Sequence, residues 1–253
     1  MDMKFFDANM YVGRPNKKIF GAVASCEDLL KEMERQNIEK AVVWHIAQYD
    51  LSPVEGNRLL SETVRNDKRL YGCWSILPPQ TEEVIDDSFF CRMKEERIFA
   101  LRAFPDFHRY ILDETVFGGF FEELSERKIP LLLSLEKGSS WQWQGVYNLM
   151  KSFPSLVCIF CDIGIWGVDR QTWPLLEKYP NVYLETSLLS LGYRQLEATV
   201  KKFGAERVVF GSGFPERYIE GAVCEILHAD ISASDREKIA CLNLERIISE
   251  IKL

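Results

Sequence analysis

Eight short apolar runs alternate with longer amphipathic ones along the chain, and no other feature limits its fold so sharply. The apolar runs are Lys4–Asn9, Lys40–Ile46, Leu70–Leu77, Ile98–Phe104, Pro130–Leu135, Leu156–Asp162, Val182–Ser187 and Arg207–Ser212. They are rich in β-branched and aromatic residues, and most are apolar at successive positions, as strands covered on both faces should be. Between them the apolar spacing becomes helical. Ser25, followed by Glu27 and Asp28, supplies an N-cap and an acidic first turn to a helix carrying Leu29, Leu30 and Met33. Further helices are expected over Val54–Arg65, Glu82–Lys94, Glu114–Arg127, Gln142–Lys151, Arg170–Lys178, Tyr193–Lys202 and Glu216–His228. A last helix, Ser234–Ile251, is expected to close one end. Eight strand–helix units in 253 residues predict an α/β fold of the (β/α)8 TIM-barrel type. An open doubly wound sheet would place a glycine-rich turn after the first strand, where this chain has Asn9-Met10-Tyr11-Val12-Gly13-Arg14-Pro15. No linker or charge block interrupts the series, so residues 1–253 are expected to form a single domain.

Composition narrows the partners. A hydrophobic fraction of 47% suits a large core, and a net charge of −7 with no basic stripe argues against nucleic acid. No apolar run approaches the roughly 18 residues of a membrane span. The start, Met1-Asp2-Met3-Lys4, lacks a signal pattern, and a cytoplasmic location with no membrane partner is expected. Seven scattered cysteines read as reduced thiols. Cys158 and Cys161, three apart on a strand, should face opposite sides and share no metal.

Four segments, in order along the whole chain, carry a family resemblance. Phe6-Asp7-Ala8-Asn9-Met10-Tyr11-Val12-Gly13 looks like a D-x-H-x-H-x-G opening, and Phe153-Pro154-Ser155-Leu156 through Asp162-Ile163-Gly164 like a sixth strand ending in H-x-G. Tyr179-Pro180-Asn181-Val182-Tyr183-Leu184-Glu185-Thr186-Ser187 is similar to a Y-P-N-V-Y-x-x-x-S seventh strand. Phe210-Gly211-Ser212-Gly213-Phe214-Pro215 is similar to an eighth-strand G-S-D-x-P. Together they resemble the amidohydrolase-related proteins. That resemblance implies a barrel whose strand ends hold Zn²⁺ or a similar ion, which lowers the pKa of a bound water to about 7 and polarises a scissile carbonyl. Here Asn9 and Tyr11 stand at the two first-strand His positions, Ser134 near the fifth-strand His, Asp162 at the sixth-strand His and Gly213 at the eighth-strand Asp. Two oxygen donors without imidazole make a poor zinc site, so no metal and no other cofactor is expected. An unexpected metal-binding set of Asp7, Asp162 and Glu185 stays open.

The remaining candidates are few. The catalytic candidates are Asp162, His45 and His108. Asp162 or His45 would act as general base toward water, while His45 reads equally as a structural histidine. His108 follows the fourth strand in a loop of cationic, acidic and aromatic groups suited to a small carboxylate. Arg102, inside an apolar strand, needs an anionic partner: either a substrate carboxylate or a buried pair with Asp162 or Glu185. Asn9, Tyr11, Ser134, Glu185 and Ser212 complete the substrate-binding candidates, and no triad can be assigned to either serine. Glu136 precedes a polar-aromatic loop whose Trp141 and Trp143 either cap a pocket or pack onto the rim, and His228 reads as structural. The expected function is a diverged hydrolase of a small carboxylate-bearing lactone, ester or amide, working without the metal. The alternative is an inactive barrel that binds a small acid or a protein partner, with side chains such as Tyr11 and Trp74 filling the site. A decarboxylase or hydratase of aromatic acids, which the resemblance also implies, is disfavoured because it uses the metal. A homodimer is the expected assembly.

Overall fold

The computed structural model describes residues 3–65, 67–135, 140–163, 170–189 and 192–253. Eight parallel strands follow one another in chain order: β1 (Phe5–Val12), β2 (Ile38–His45), β3 (Leu70–Ser75), β4 (Ile98–Ala103), β5 (Leu131–Ser134), β6 (Cys158–Cys161), β7 (Val182–Glu185) and β8 (Val208–Val209). The chain beyond β8 returns to β1. The Ala8 amide donates to Phe210 O at 2.8 Å, the Tyr11 amide to Phe214 O at 3.0 Å, and the Gly213 amide to Asn9 O at 3.1 Å. The sheet thereby closes into a (β/α)8 barrel, which removes both edges.

The helices of the outer ring are α1 (Cys26–Arg35), α2 (Ala47–Asp50), α3 (Pro53–Val64), α4 (Phe89–Glu95), α5 (Pro105–His108), α6 (Glu114–Arg127), α7 (Ser140–Ser152), α8 (Trp173–Lys178), α9 (Gln195–Phe203) and α10 (Ile219–His228). The Ser25 hydroxyl accepts from the Asp28 amide at 3.2 Å, the cap that the acidic start of α1 implied. Four expected helices begin late, at Phe89, Trp173, Gln195 and Ile219. Ahead of α4, the Asp86 carboxylate accepts from the Ser88 amide at 2.8 Å, a side-chain turn that competes with helix. Ahead of α10, residues 216–218 belong to the loop after β8.

Strand alternation divides the core. Phe5, Met10, Cys158, Val182 and Val208 pack outward against the helices. Phe6, Val42, Cys73, Ala100, Leu132, Ile159, Cys161, Tyr183 and Val209 fill the barrel. Cys158 and Cys161 thus face opposite sides, and all seven cysteines are free. The closing element is a rod of α11 (Ala233–Glu237), a π-helical turn (Lys238–Leu242) and α12 (Asn243–Ser249). It carries Cys241, Leu244 and Ile247 into the same inner cluster. Asn243 Nδ2 donates to Ala205 O and Val208 O, both at 2.8 Å, which anchors the rod to the start of β8. Among the described residues no helix is long and apolar enough to cross a membrane.

Candidate functional site

Strand periodicity gathers the polar side chains at the C-terminal end of the barrel. Ala100, Leu132 and Tyr183 face inward on β4, β5 and β7. Arg102, Ser134 and Glu185, two residues further along, therefore face the same way one layer higher. β1 reaches that layer through a register shift between Asp7 and Met10, which changes the parity so that Phe6 and Ala8 and then Tyr11 point inward. Cys161 also faces inward, so a regular strand would turn Asp162 outward. The φ of 57° at Asp162 re-aims its carboxylate into the barrel, a left-handed conformation of the sort found where backbone serves a site.

Arg102 lies at the centre with only 1% of its side chain exposed. Its Nη1 donates to Asn9 Oδ1 at 2.8 Å, and its Nη2 to Asp162 Oδ2 at 3.1 Å and to Ser134 Oγ. Ser134 Oγ donates onward to Asp162 Oδ2 at 2.7 Å. Asp162 Oδ1 accepts from Arg217 Nη1 at 2.9 Å and from Asn9 Nδ2 at 3.1 Å. Each carboxylate oxygen therefore accepts two bonds. The guanidinium carbon of Arg102 is 4.8 Å from the Trp44 ring centroid, whose face favours a cation. Of the two arrangements open to Arg102, the buried pair with Asp162 is the one present.

Two buried acids support this cluster. Glu185 accepts from Asn9 Nδ2 at 3.3 Å, the Asp162 amide at 3.2 Å and Ser187 Oγ at 2.9 Å. Burial, with the Asp162 charge, pushes its pKa up to about 8. Gly211 lies against it, where a Cβ would collide with the carboxylate. Asp7 accepts from the Asn9 amide at 2.8 Å and the Ser212 amide at 3.1 Å, fastening the loop after β8 to β1, and burial pushes its pKa up to about 6.

Above the cluster opens a cavity of about 540 Å³. Trp44, Tyr49, Phe104, Phe107 and Tyr110 are among its walls, and the Tyr49 and Phe107 rings stack at 4.1 Å. The Tyr11 hydroxyl donates to Glu216 Oε1 at 3.1 Å and Lys17 Nζ to Glu216 Oε2 at 2.7 Å, all three residues lining the cavity.

Of the residues named from sequence, Asn9, Tyr11, Arg102, Ser134 and Asp162 line this cavity together, whereas Glu185 and Ser212 lie buried outside its lining. His45 and His108 are not in the lining. His45 Nδ1 accepts from the Ala47 amide at 3.1 Å, and burial lowers its pKa. His108 packs among Phe104, Phe107 and Tyr110, and burial lowers its pKa too. His228 ends α10, exposed. Trp74 donates to Ser61 Oγ and packs against Phe89 in the outer core, away from the site. Trp143 is buried against Phe160, whereas Glu136 and the side chain of Trp141 lie outside the described residues.

Sequence reasoning missed Glu216 and Arg217, because both were assigned to the start of a helix. Their signal was Gly213. It has a φ of +67°, and a Cβ there would stand 2.6 Å from Arg217 Nη1. The space that a side chain at 213 would occupy is filled by the Arg217 guanidinium.

The donor set does not suit a metal ion. The oxygens of Asn9, Ser134 and Asp162 already hold guanidinium groups, and a divalent cation among them would face two fixed positive charges at close range. Among the described residues no imidazole lines the cavity. Among the described residues no three His, Cys, Asp or Glu side chains converge as ligands, Asp7, Asp162 and Glu185 included.

A family model described as amidohydrolase matches residues 5–247. Among solved structures, the chain is similar to a 2,6-dihydroxybenzoate decarboxylase from Rhizobium (TM-score 0.74, 15% identity, covering 98% of this chain and 99% of that one). It is similar to a putative amidohydrolase from Staphylococcus aureus (0.74, 13%, covering 98% and 100%). It is also similar to a putative 2-pyrone-4,6-dicarboxylic acid hydrolase from Pseudomonas putida (0.70, 16%, covering 98% and 98%). At such identities these likenesses speak for the fold. Comparison with curated proteins finds no match.

Proposed function

The chain belongs to the amidohydrolase family, and from that premise we propose that it hydrolyses a small carboxylate-bearing lactone, ester or amide without a metal ion. The observation that carries this reading is the Arg102–Asp162–Arg217 cluster beneath an aromatic-walled cavity. The aromatic walls suit a planar ring. Arg217, with 20% of its side chain exposed, presents the guanidinium that meets the ligand, while Arg102 lies beneath and holds Asp162 in place. Guanidinium recognises carboxylate through a planar fork of donors. The neighbour named as a pyrone-dicarboxylic acid hydrolase is, by its name, directed at a cyclic ester with two carboxylates, and this lends the substrate class support by analogy.

In this reading, Glu216 takes a proton from water as the water adds to the substrate carbonyl. Glu216 lines the cavity with Tyr11 on one oxygen and Lys17 on the other to orient it, whereas both oxygens of Asp162 are engaged twice. The C–O or C–N bond then breaks, and the proton passes from Glu216 to the leaving group. The saturation of Asp162 and the absence of imidazole among the described residues of the cavity lining favour a second reading, a barrel that binds a small acid without turnover.

Thermal unfolding with cyclic and aromatic carboxylates, paired with proton release from unsubstituted and carboxylated lactones, tests both. Stabilisation of the wild type by a carboxylate, abolished in Arg217→Gln, is expected. Glu216→Gln should keep the stabilisation and lose about 10²–10⁴-fold in proton release. Stabilisation without turnover selects the binding protein. Stabilisation that survives Arg217→Gln sinks the assignment of the carboxylate site.

A further inference from the structure

We propose that the Arg102 guanidinium is a resident cation, tethered to β4, that fills the place of the metal ion implied by the family resemblance. Three of the five positions at which the resemblance puts ligands are Asn9, Ser134 and Asp162, and each gives an oxygen to this one guanidinium. Asn9 Oδ1 is at 2.8 Å, Asp162 Oδ2 at 3.1 Å, and Ser134 Oγ is in contact. Oxygens from β1, from the end of β5 and from the turn after β6 thus converge on a buried positive charge, as they would on a hard ion. The side chain is 1% exposed and stacked on Trp44, so this charge is fixed and shielded from water.

The fifth position completes the exchange. Gly213 has no side chain, and Arg217 Nη1 stands 2.6 Å from where its Cβ would be. A second guanidinium thus occupies the place of an acid. Two guanidiniums on the Asp162 carboxylate thus stand where a divalent ion would stand on a strand-eight carboxylate, and the acid has moved from position 213 to position 162. This inference rests on the metal-free part of the function proposed above and not on its substrate, so failure of carboxylate binding or of lactone turnover would leave it standing.

Removing Arg102 should restore a cation site, because Asp162, Asn9 and Ser134 would lose a donor and Glu185 lies in the same network. Equilibrium dialysis against Mn²⁺ with elemental analysis tests this on wild type, Arg102→Ala, Arg102→Lys, Asp162→Asn, Arg102→Ala/Asp162→Asn and Arg102→Lys/Asp162→Asn. Wild type and Arg102→Lys should retain no Mn²⁺. Arg102→Ala should retain about one equivalent, which raises its melting temperature, and Arg102→Ala/Asp162→Asn should lose it. An Arg102→Ala protein that folds only with Mn²⁺ present supports the proposal equally. A folded Arg102→Ala without Mn²⁺ affinity overturns it. So does Mn²⁺ held by wild type or by Arg102→Lys and abolished by Asp162→Asn, a measurement that stands even if Arg102→Ala folds in neither condition.

Discussion

At the scale of single residues, Gly213 and Arg217 behave as one unit: the missing side chain makes the room that the guanidinium occupies. Gly213→Ala would place a methyl group 2.6 Å from Arg217 Nη1 on backbone with a φ of +67°. The left-handed backbone should cost about 1–2 kcal/mol for a residue with a Cβ. The displaced guanidinium should weaken any carboxylate-induced stabilisation more than that strain alone explains. Denaturant unfolding with and without ligand measures both, and full retention of the ligand effect would show that Arg217 is not held by this contact. The same pair marks how far residues could be read unaided. Asn9, Ser134 and Asp162 were legible because their positions fell on a motif. Arg102 was legible because a charge inside an apolar strand requires a partner. Arg217 was not, since an arginine in a polar run beside a glycine carries no pattern until the backbone brings it back over Gly213.

Among the elements, strands were easier to read than helix boundaries. Continuous apolar runs of β-branched and aromatic residues can hardly be anything else when both faces are covered, and each of the eight was found within a few residues of its expected span. Helix starts depend on side-chain turns such as that of Asp86 onto Ser88, which override spacing. The register shift in β1 and the turn at Asp162 could not be read at all, and it is these irregularities that aim Asn9, Tyr11 and Asp162 inward. The closing rod offers a test of its own. Asn243 Nδ2 is the donor to two buried carbonyls, Ala205 O and Val208 O, at the start of β8. Asn243→Ala should therefore destabilise the fold by about 2 kcal/mol or more, the penalty for leaving buried acceptors unmet. Urea midpoints would show this, and a change within about 0.5 kcal/mol would mean that water replaces the amide.

For the molecule as a whole, the barrel separates stability from recognition. The rod closes the N-terminal end, where Asn243 meets the start of β8, and the cavity opens among the loops at the other. The two meet electrostatically at Asp7 and Glu185. Burial raises the pKa of Asp7 from 3.8 to about 6 and, with the Asp162 charge, that of Glu185 from 4.5 to about 8. A raised carboxyl pKa means that the folded state holds its proton longer than the unfolded chain. Its contribution is complete below the unfolded pKa and is lost as pH rises through the folded one. Asp67 and Glu206, held low by Arg69 and Lys238, act with the opposite sign, so a difference experiment is needed. Asp7→Asn should gain about 3 kcal/mol on wild type between about pH 4 and pH 7, because the wild type loses that amount as Asp7 ionises. A pH-independent difference would show that Asp7 titrates as it does in the unfolded chain. A charge supplied by a metal depends on provisioning: it can be starved, chelated or loaded with the wrong element. A charge built into β4 is delivered by translation itself, one per chain, and no change in the surrounding medium can strip it away.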